Sequence, residues 1–335
     1  PLRGVRLAPG SYLLELRAPG RLPTRYPIQL RRQEHWDGIR PGERSPYTIE
    51  LPPLGALAEE ECYVPAGWFW CGEEQQTFDE LPQQRVWVDA FVIKRFPVSN
   101  REYLHYLNSL RSAGRLEELL RTQPRQRSGP SGQEGPPIYG TREDGTREDG
   151  TFCLVRDAEG DLWHPEWPVV LVNWYGAHAY SLWKAEMSGL PWRLPGELEY
   201  EKAGRGVDGR HFPWGDFGEP TCFVNLDTFQ GKAVPAEISD IRSDLSPYEV
   251  TGLAGNSRSW CLDVYQPTGP RLLHQLYAPE LQDAQQLVPR CVRGGSFMLR
   301  APNGRVAGRS WGSASNRSAI VGLRLARPYL PTHKR

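Results

Sequence analysis

Arg293-Gly-Gly-Ser-Phe297, with Gly322-Leu-Arg-Leu-Ala-Arg327 closing the same stretch, decides how this chain is read. Gly294 and Gly295 give backbone freedom beside Ser296. Arg305, Arg309, Arg317 and Arg324 punctuate the segment between the two ends. The residues among them, including Met298, Leu299, Arg300, Gly308, Ser310, Trp311, Gly312, Ser313, Ser318, Ala319 and Ile320, show neither helical nor strand periodicity. The expectation is an irregular surface held by a scaffold and closed by a strand with Leu323 and Leu325 on one face. Such surfaces are where binding concentrates.

The rest of the composition bounds the possibilities. At 335 residues the chain is long enough for one large domain and a small one. With 39% apolar residues, 24% charged and a formal net charge of +0, it reads as globular. No apolar run approaches the roughly 18 residues that span a bilayer. Arginine supplies nearly all the positive charge and proline is abundant at 31 residues, which fits a GC-rich genome or a thermophile. From Ala284 to Arg335 there is no Asp or Glu. Overall neutrality nevertheless leaves no excess charge for a polyanion, so nucleic acid is not expected as a partner. Those arginines are expected to pair with acids elsewhere, such as Glu197, Glu199, Glu201 or Asp216. The six cysteines form no C-x-x-C and no zinc spacing, so most read as small buried hydrophobes.

Along the chain, residues 1–57 read as a small β module. Tyr12, Leu14 and Leu16 alternate after one Pro-Gly turn, Tyr26, Ile28 and Leu30 after a second, and Tyr47, Ile49 and Leu51 make a third strand. Val86, Val88, Ala90 and Val92 predict a strand. Ser99 and Glu102 form a capping box for a helix carrying Tyr103, Leu104, Leu107 and Leu110. Residues 122–151 are an insertion rich in Gly, Pro, Gln and Arg, ending in a tandem Thr-Arg-Glu-Asp-Gly (141–145 and 146–150), and are expected to form a flexible loop. Calcium at Asp144 and Asp149 lacks the twelve-residue ligand spacing. A buried strand then leads to Asn173 as N-cap of a helix with Trp174, Ala177, Tyr180 and Trp183, in which His178 reads as structural. Gly196 caps a further helix, with Glu199 folding back on it.

Taken in order, "YVPAGWFWCGE", "VWVDAFVIKRFPVSNREY", "PVVLVNWYGAHAYSLW", "RLPGELEYEKAGRGVDGRHFPWGD", "GLAGNSRSWCLDVY" and "VRGGSF…VGLRLARP" resemble the formylglycine-generating-enzyme (FGE-sulfatase) family. The resemblance implies an α+β, C-type lectin-like domain over residues 62–335, with a variable region at 293–325. The segment "PGSYLLELRAPGR" resembles a PEGA-type β-sandwich. The family's enzymes oxidise a substrate cysteine with copper held by two cysteines just beyond the R-G-G-S turn. Those positions fall here on Leu299 and Gly304, neither of which is a thiolate. The family's calcium places hold Gly252 and Ser259, while Asn225 survives as a weak calcium candidate. No catalytic residue and no cofactor are therefore expected.

A scaffold without that chemistry is similar to the variable proteins of diversity-generating retroelements, whose adenine-directed mutagenesis rewrites surface codons at the end of this fold. Arg293 to Ser296, Arg305, Ala307, Arg309, Arg317, Gly322 and Arg324 match that pattern; Phe297, Gly304, Val306 and Leu323 depart from it. Changing adenines in an Asn codon yields Phe, Leu, Arg, Gly, Ser, Ala, Val or Ile, the residues that fill most slots; Met298 and Trp311 need another template codon. The resemblance implies a non-enzymatic, cell-surface or phage-associated display protein that binds a protein or other macromolecule. Phe297, Met298, Leu299, Arg300 and Trp311 would be anchors, and Ser310, Ser313 and Ser318 polar adaptors. The competing readings are an FGE-like oxidoreductase with relocated metal ligands, and a regulatory module of a kinase or envelope protein. Phe297 and Trp311 as core residues are the structural alternative.

Overall fold

A turn, a cap or a close backbone approach marks nearly every boundary between elements. A computed structural model of the chain describes residues 5–34, 36, 38–74, 79–126, 135–141, 150–156, 160–218, 228–229, 232–281, 288–298 and 301–330. Strands β1 (Gly10–Leu16) and β2 (Thr24–Leu30) form an antiparallel hairpin, with Tyr12 opposite Ile28 and Leu14 opposite Tyr26. The third strand expected at 47–51 does not form. Instead the segment lies along the main domain, where the Tyr63 hydroxyl donates to Glu50 O and Tyr47 meets Trp87 edge-on. A hairpin packed on the larger domain thus replaces the expected sandwich among the described residues. Trp68 Nε1 donates to Ile39 O at 2.8 Å, and Arg40 pairs with Asp89.

The main domain opens with β3 (Glu61–Val64), β4 (Gly67–Cys71), β5 (Gln84–Val88) and β6 (Phe91–Lys94). The single strand expected over Val86–Val92 is broken at Asp89–Ala90, and its halves enter different sheets. Helix α1 (Asn100–Ser112) carries the predicted capping box: Ser99 Oγ accepts from Glu102 N, and Glu102 accepts from Ser99 N. Helix α2 (Leu116–Thr122) comes next, then β7 (Tyr139–Thr141) paired with β8 (Phe152–Leu154). Part of the insertion is therefore core, not loop. Ile138 and Tyr139 are fully buried, and Gln123 and Asn100 hold Tyr139 by hydrogen bonds. Most of the tandem repeat, including Asp144 and Asp149, lies outside the described residues.

Residues Val169–Val172 are buried as expected but form no strand, because Leu171 takes a left-handed φ of 60° and ends any ladder there. Their amides reach Val98 O and Ser318 O. Asn173 caps α3 (Trp174–Ser188), accepting from Gly176 N at 2.9 Å. Helix α4 (Glu197–Arg205) begins at Gly196, whose N–H donates to Glu199 at 2.7 Å. The short pair β9 (Thr228–Phe229) and β10 (Lys232–Ala233) precedes β11 (Arg258–Val264), β12 (Leu272–Leu273), β13 (Leu276–Tyr277) and β14 (Pro289–Arg293). A 3-10 turn at Ala301–Gly304, then β15 (Arg309–Ser313), β16 (Val321–Gly322) and β17 (Ala326–Pro328), complete the chain.

Three sheets form the body: β15-β14-β11-β16, β12-β13-β5-β4 and β17-β6-β3. One core joins α1 and α3 to Trp260, Val292 and Leu323; another lies under α4. The C-terminal stretch is more regular than its sequence reads, since β15 pairs along its whole length with β14. Leu323 and Leu325 are both buried, but they sit between β16 and β17 and not in a strand. Two glycines set the spacing here. A Cβ on Gly295 would lie 1.9 Å from Ala254 O, and one on Gly322 would lie 2.0 Å from Val169 O. Both neighbours are backbone and cannot swing aside. Gly295→Ala and Gly322→Ala are each expected to cost about 3 kcal/mol or more, whereas Ser315→Ala on the exposed turn stays within about 0.5 kcal/mol. Urea unfolding of the three variants checks this.

Candidate functional site

Helix α4 is buried along all nine of its residues, although its sequence is ELEYEKAGR. Each charge has a specific partner. Glu197 accepts from Arg309 Nε and lies 3.6 Å from Arg293 Nη1. Glu201 accepts from Arg293 Nη2, from Arg205 Nη1 at 2.9 Å and from Gly72 N at 2.7 Å. Arg205 also reaches Glu73 at 3.1 Å, and Glu199 is held two-pronged by Arg193 at 2.7 Å. Burial opposes the charge on Arg293, but Glu201 and Glu197 outweigh it and hold the guanidinium protonated. Lys202 Nζ donates to Pro65 O, Gly67 O and Val88 O at 2.8, 3.0 and 3.2 Å, and burial pulls its pKa down to about 7.

The expected pairing of C-terminal arginines with acids holds for Arg293 and Arg309. It holds also for Arg327, which meets Glu61 at 2.9 Å, while Arg317 and Arg324 donate to backbone. Arg317 donates to Gln123 O and Arg121 O, and Arg324 to Lys94 O and Thr251 O. Asp216 accepts from His211 N. Four arginines therefore clamp β14, β15 and their connections onto the body.

The residues expected to form a binding surface divide sharply. Met298 is 60% exposed, Trp311 56%, and Ser313 is exposed two residues beyond Trp311. Gly308, Ser310 and Ser318 are half-buried. Ala319 and Ile320 are half-buried too, packed against the α1/α3 core. Phe297 and Gly312 do not lie on the surface. Phe297 is 6% exposed and its N–H donates to Asn256 O; a Cβ on Gly312 would lie 2.9 Å from the Trp260 ring. Leu299 and Arg300 lie outside the described residues, as does Asn225. On β15, the edge strand of its sheet, Trp311 leans on Tyr265 with ring centroids 6.0 Å apart. The Arg309 guanidinium lies 4.8 Å from the Tyr265 ring, and the Tyr265 hydroxyl donates to Asp79. Sequence reasoning misses Tyr265, because its role depends on the register that sets β15 beside it.

The family's copper does not fit the residues present. Gly304 offers no ligand, and Cys291 is buried on β14 with its thiol donating to Glu197 at 3.1 Å. Burial first, then the charge of Glu197, pushes that thiol well above its usual range, the reverse of an available thiolate. Cys62, Cys71 and Cys261 are buried free thiols. Among the described residues no group of three or more His, Cys, Asp or Glu converges as metal ligands. At Gly252, one of the places where the family resemblance puts calcium, the carbonyl accepts from Arg324 Nη2 at 3.5 Å. No helix among the described residues is long and apolar enough to cross a membrane.

An α+β body with a buried charged helix clamped by C-terminal arginines defines a scaffold of the sulfatase-modifying-factor class. Residues 51–329 match the family model described as the sulfatase-modifying factor enzyme 1-like domain, FGE-sulfatase, and the chain belongs to that family. It is similar to the formylglycine-generating enzyme of Bos taurus, at 26% identity over 98% of this chain and 83% of that protein. It is also similar to the serine/threonine-protein kinase pkn1 of Chlamydia pneumoniae, at 26% identity over 83% of this chain but only 39% of the kinase's length. Among solved structures, Treponema denticola variable protein 1 shares the fold with a TM-score of 0.53 at 17% identity, over 80% of this chain and 95% of that one.

The buried charges make two measurable differences to stability. Glu197→Ala leaves Arg309 without its carboxylate and is expected to cost about 3–5 kcal/mol, while Glu197→Leu with Arg309→Leu, which removes both charges, recovers part of that loss. Denaturant titrations of both variants measure the difference. The second concerns Asp263, whose carboxyl is pushed up to about 7 by burial and then by the charge of Glu197. Its folded pKa lies above its unfolded one, so wild-type stability is full at low pH and falls between about pH 4 and 7 as the unfolded chain ionises first. Asp263→Asn removes that dependence. Its stability relative to wild type should rise by on the order of 2 kcal/mol between pH 5 and pH 8, read by chemical unfolding at both values.

Proposed function

We propose that the chain is a non-enzymatic binding protein whose recognition surface is centred on β15, and that it is a variable protein of the diversity-generating-retroelement type. The observation that carries this reading is the contrast between outward side chains and their support. Met298, Trp311 and Ser313 turn outward from a backbone fixed by Arg293, Arg309, Arg317 and Arg324. Side chains on such a strand change without disturbing the fold beneath. The positions that carry the family's paired cysteines are Leu299 and Gly304, which supports binding over oxidation. The likeness to Treponema denticola variable protein 1 supports the same reading at the level of fold.

The partner is a protein or other macromolecule met at a cell or phage surface. A stable contact needs about 800 Å² on each side, which Trp311, Tyr265 and Met298 would anchor with neighbouring loops. Leu299 and Arg300 belong to this surface in the proposal. Phe297 and Gly312 do not; they support it from below. A second reading, a fixed-specificity module attached to a kinase, is favoured by the match to pkn1, of which this chain spans 39%.

Deep sequencing of the last coding segment across a cell population separates the two. Adenine-derived variation at Met298–Arg300, Ser310, Trp311 and Ser313, with Gly312 and the arginines constant, is the expected result. A uniform sequence leaves the fixed module. In parallel, a displayed library randomised at Met298, Trp311 and Ser313 should keep protease resistance in most members, and one randomised at Gly312 and Arg309 should lose it.

A further inference from the structure

The β1–β2 hairpin leaves one strand edge open. Strand β1 is paired with β2 along all of Gly10–Leu16, and among the described residues no other strand joins that sheet. Its partner β2 is covered by the main domain: Tyr26 and Ile28 are buried, and Gln29 and Arg25 reach Asp208 O and Pro247 O. β1 faces water instead, with Leu13 at its centre 49% exposed. A two-stranded sheet is marginal on its own, and a strand edge presents a row of N–H and C=O groups to any further strand. The usual guards against such pairing are lysines, prolines and bulges. β1 has none of these, since Gly10–Leu16 contains neither residue and its register with β2 runs unbroken.

The register decides which backbone groups point outward. Pro27 stands opposite Leu13 and has no N–H, so it cannot donate across the ladder. Leu13 and Pro27 therefore form the non-hydrogen-bonded kind of antiparallel pair, whose members turn their backbone polar groups away from each other. Alternation gives Ser11 and Glu15 the same orientation. The outer edge of β1 thus offers a donor and an acceptor at Ser11, Leu13 and Glu15, spaced evenly about Leu13. That spacing is its own complement. Turned end for end about Leu13, a second β1 sets Leu13 against Leu13, Ser11 against Glu15 and Tyr12 against Leu14. No unpaired like charges meet in this register. Glu15 keeps Arg17 at 2.5 Å, and Asp208, which accepts from the Ser11 hydroxyl, keeps Arg210 at 2.7 Å.

We propose that β1 is a self-association edge, on which a second copy of this chain adds its own β1, antiparallel, about a two-fold axis at Leu13. The product is a four-stranded sheet in the order β2-β1-β1-β2. Leu13 exchanges both backbone hydrogen bonds with Leu13 of the second copy, and Ser11 does so with Glu15 on either side of the axis. The two Leu13 side chains lie side by side on one face, with Cα atoms about 5.5 Å apart, and cover each other. A contact of this isologous kind closes at the dimer. It uses nothing of β15, so it stands whether or not that strand is a diversified surface.

The test is sedimentation velocity on the whole chain from about 10 µM to about 1 mM. A shift from the 38.0 kDa monomer to a dimer is expected. Its Kd should be on the order of 100 µM, because the contact is smaller than the roughly 1,600 Å² of a standard interface. Leu13→Lys sets two ammonium groups side by side and should weaken the dimer at least about tenfold at low salt, with partial recovery at about 1 M salt. Leu13→Pro removes an N–H that β2 does not use, so the hairpin stays and the dimer is lost. Should that variant fail to fold, Leu13→Lys decides alone, since it replaces an exposed side chain. Leu120→Lys, which puts the same charge on the exposed face of α2, should leave the dimer unchanged. Residue-resolved hydrogen exchange reads the register: the amides of Ser11, Leu13 and Glu15 slow as concentration rises, while those of Tyr12 and Leu14 are slow throughout. A monomer over the whole range, or a dimer undiminished by Leu13→Lys, overturns the proposal. So does slow exchange of the Leu13 amide in the dilute monomer, which would place another segment of the same chain on this edge.

Discussion

The carboxylate of Glu197, fully buried at the start of α4, is the contact on which the C-terminal half depends. A lone carboxylate in that position would be neutralised or expelled, because removing an ion from water costs several kcal/mol. Arg309 and Arg293 compensate it, and Glu201 shares Arg293 with it. These contacts tie α4 to two neighbouring strands. They fix the height and register of β15, and hence which of its side chains meet water. The Cys291 thiol also donates to Glu197. One carboxylate therefore orders β15 and engages a cysteine that lies two residues before the R-G-G-S turn.

Arg317 and Arg324 solve a different problem. A chain with so much irregular backbone leaves buried carbonyls without ladder partners, and each needs a donor. A guanidinium carries five N–H groups in a rigid fork, so one arginine serves several carbonyls at once. Arg324 does this for Lys94, Arg95, Thr251 and Gly252. Lysine would not, which gives a structural reason for arginine at these places whatever the genome's base composition. Lys202 is the complementary case: its three protons meet three carbonyls at the end of α4's buried charge ladder.

Where a local rule acted alone, the sequence was legible. The capping of α1 by Ser99 and Glu102, of α3 by Asn173 and of α4 by Gly196 and Glu199 came directly from spacing, and the acids of α4 were the right partners for Arg293 and Arg309. Where two partners compete for one segment, it was not. Residues 47–51 alternate like a strand but make their contacts with the main domain. Val169–Val172 are apolar enough for a strand, yet Leu171 turns out of the β region. The surface residues show the same limit. Phe297 and Trp311 are alike in composition terms, and only the backbone path, with Phe297 N donating to Asn256 O and Trp311 on an edge strand, separates inside from outside. Gly312 read as a slot because glycine lies within reach of a mutated Asn codon. Trp260 beneath it admits no larger side chain.

The same buried core sets the state of its cysteines and the support of β15. Burial pushes the thiols of Cys62, Cys71, Cys261 and Cys291 up, so these four rest as neutral side chains of the core. The arginine clamps act through backbone and through α4, and Arg309 also lies against the Tyr265 ring on which Trp311 leans. Arg309 reaches in two directions: its Nε meets Glu197 and its Nη2 holds Gln266 O in the loop after β11. The strand that carries Trp311 is thereby braced against the loop after β11. Loss of Arg309 would release strand, loop and the Glu197 charge together. One guanidinium thus couples the edge strand, the loop after β11 and the buried helix α4.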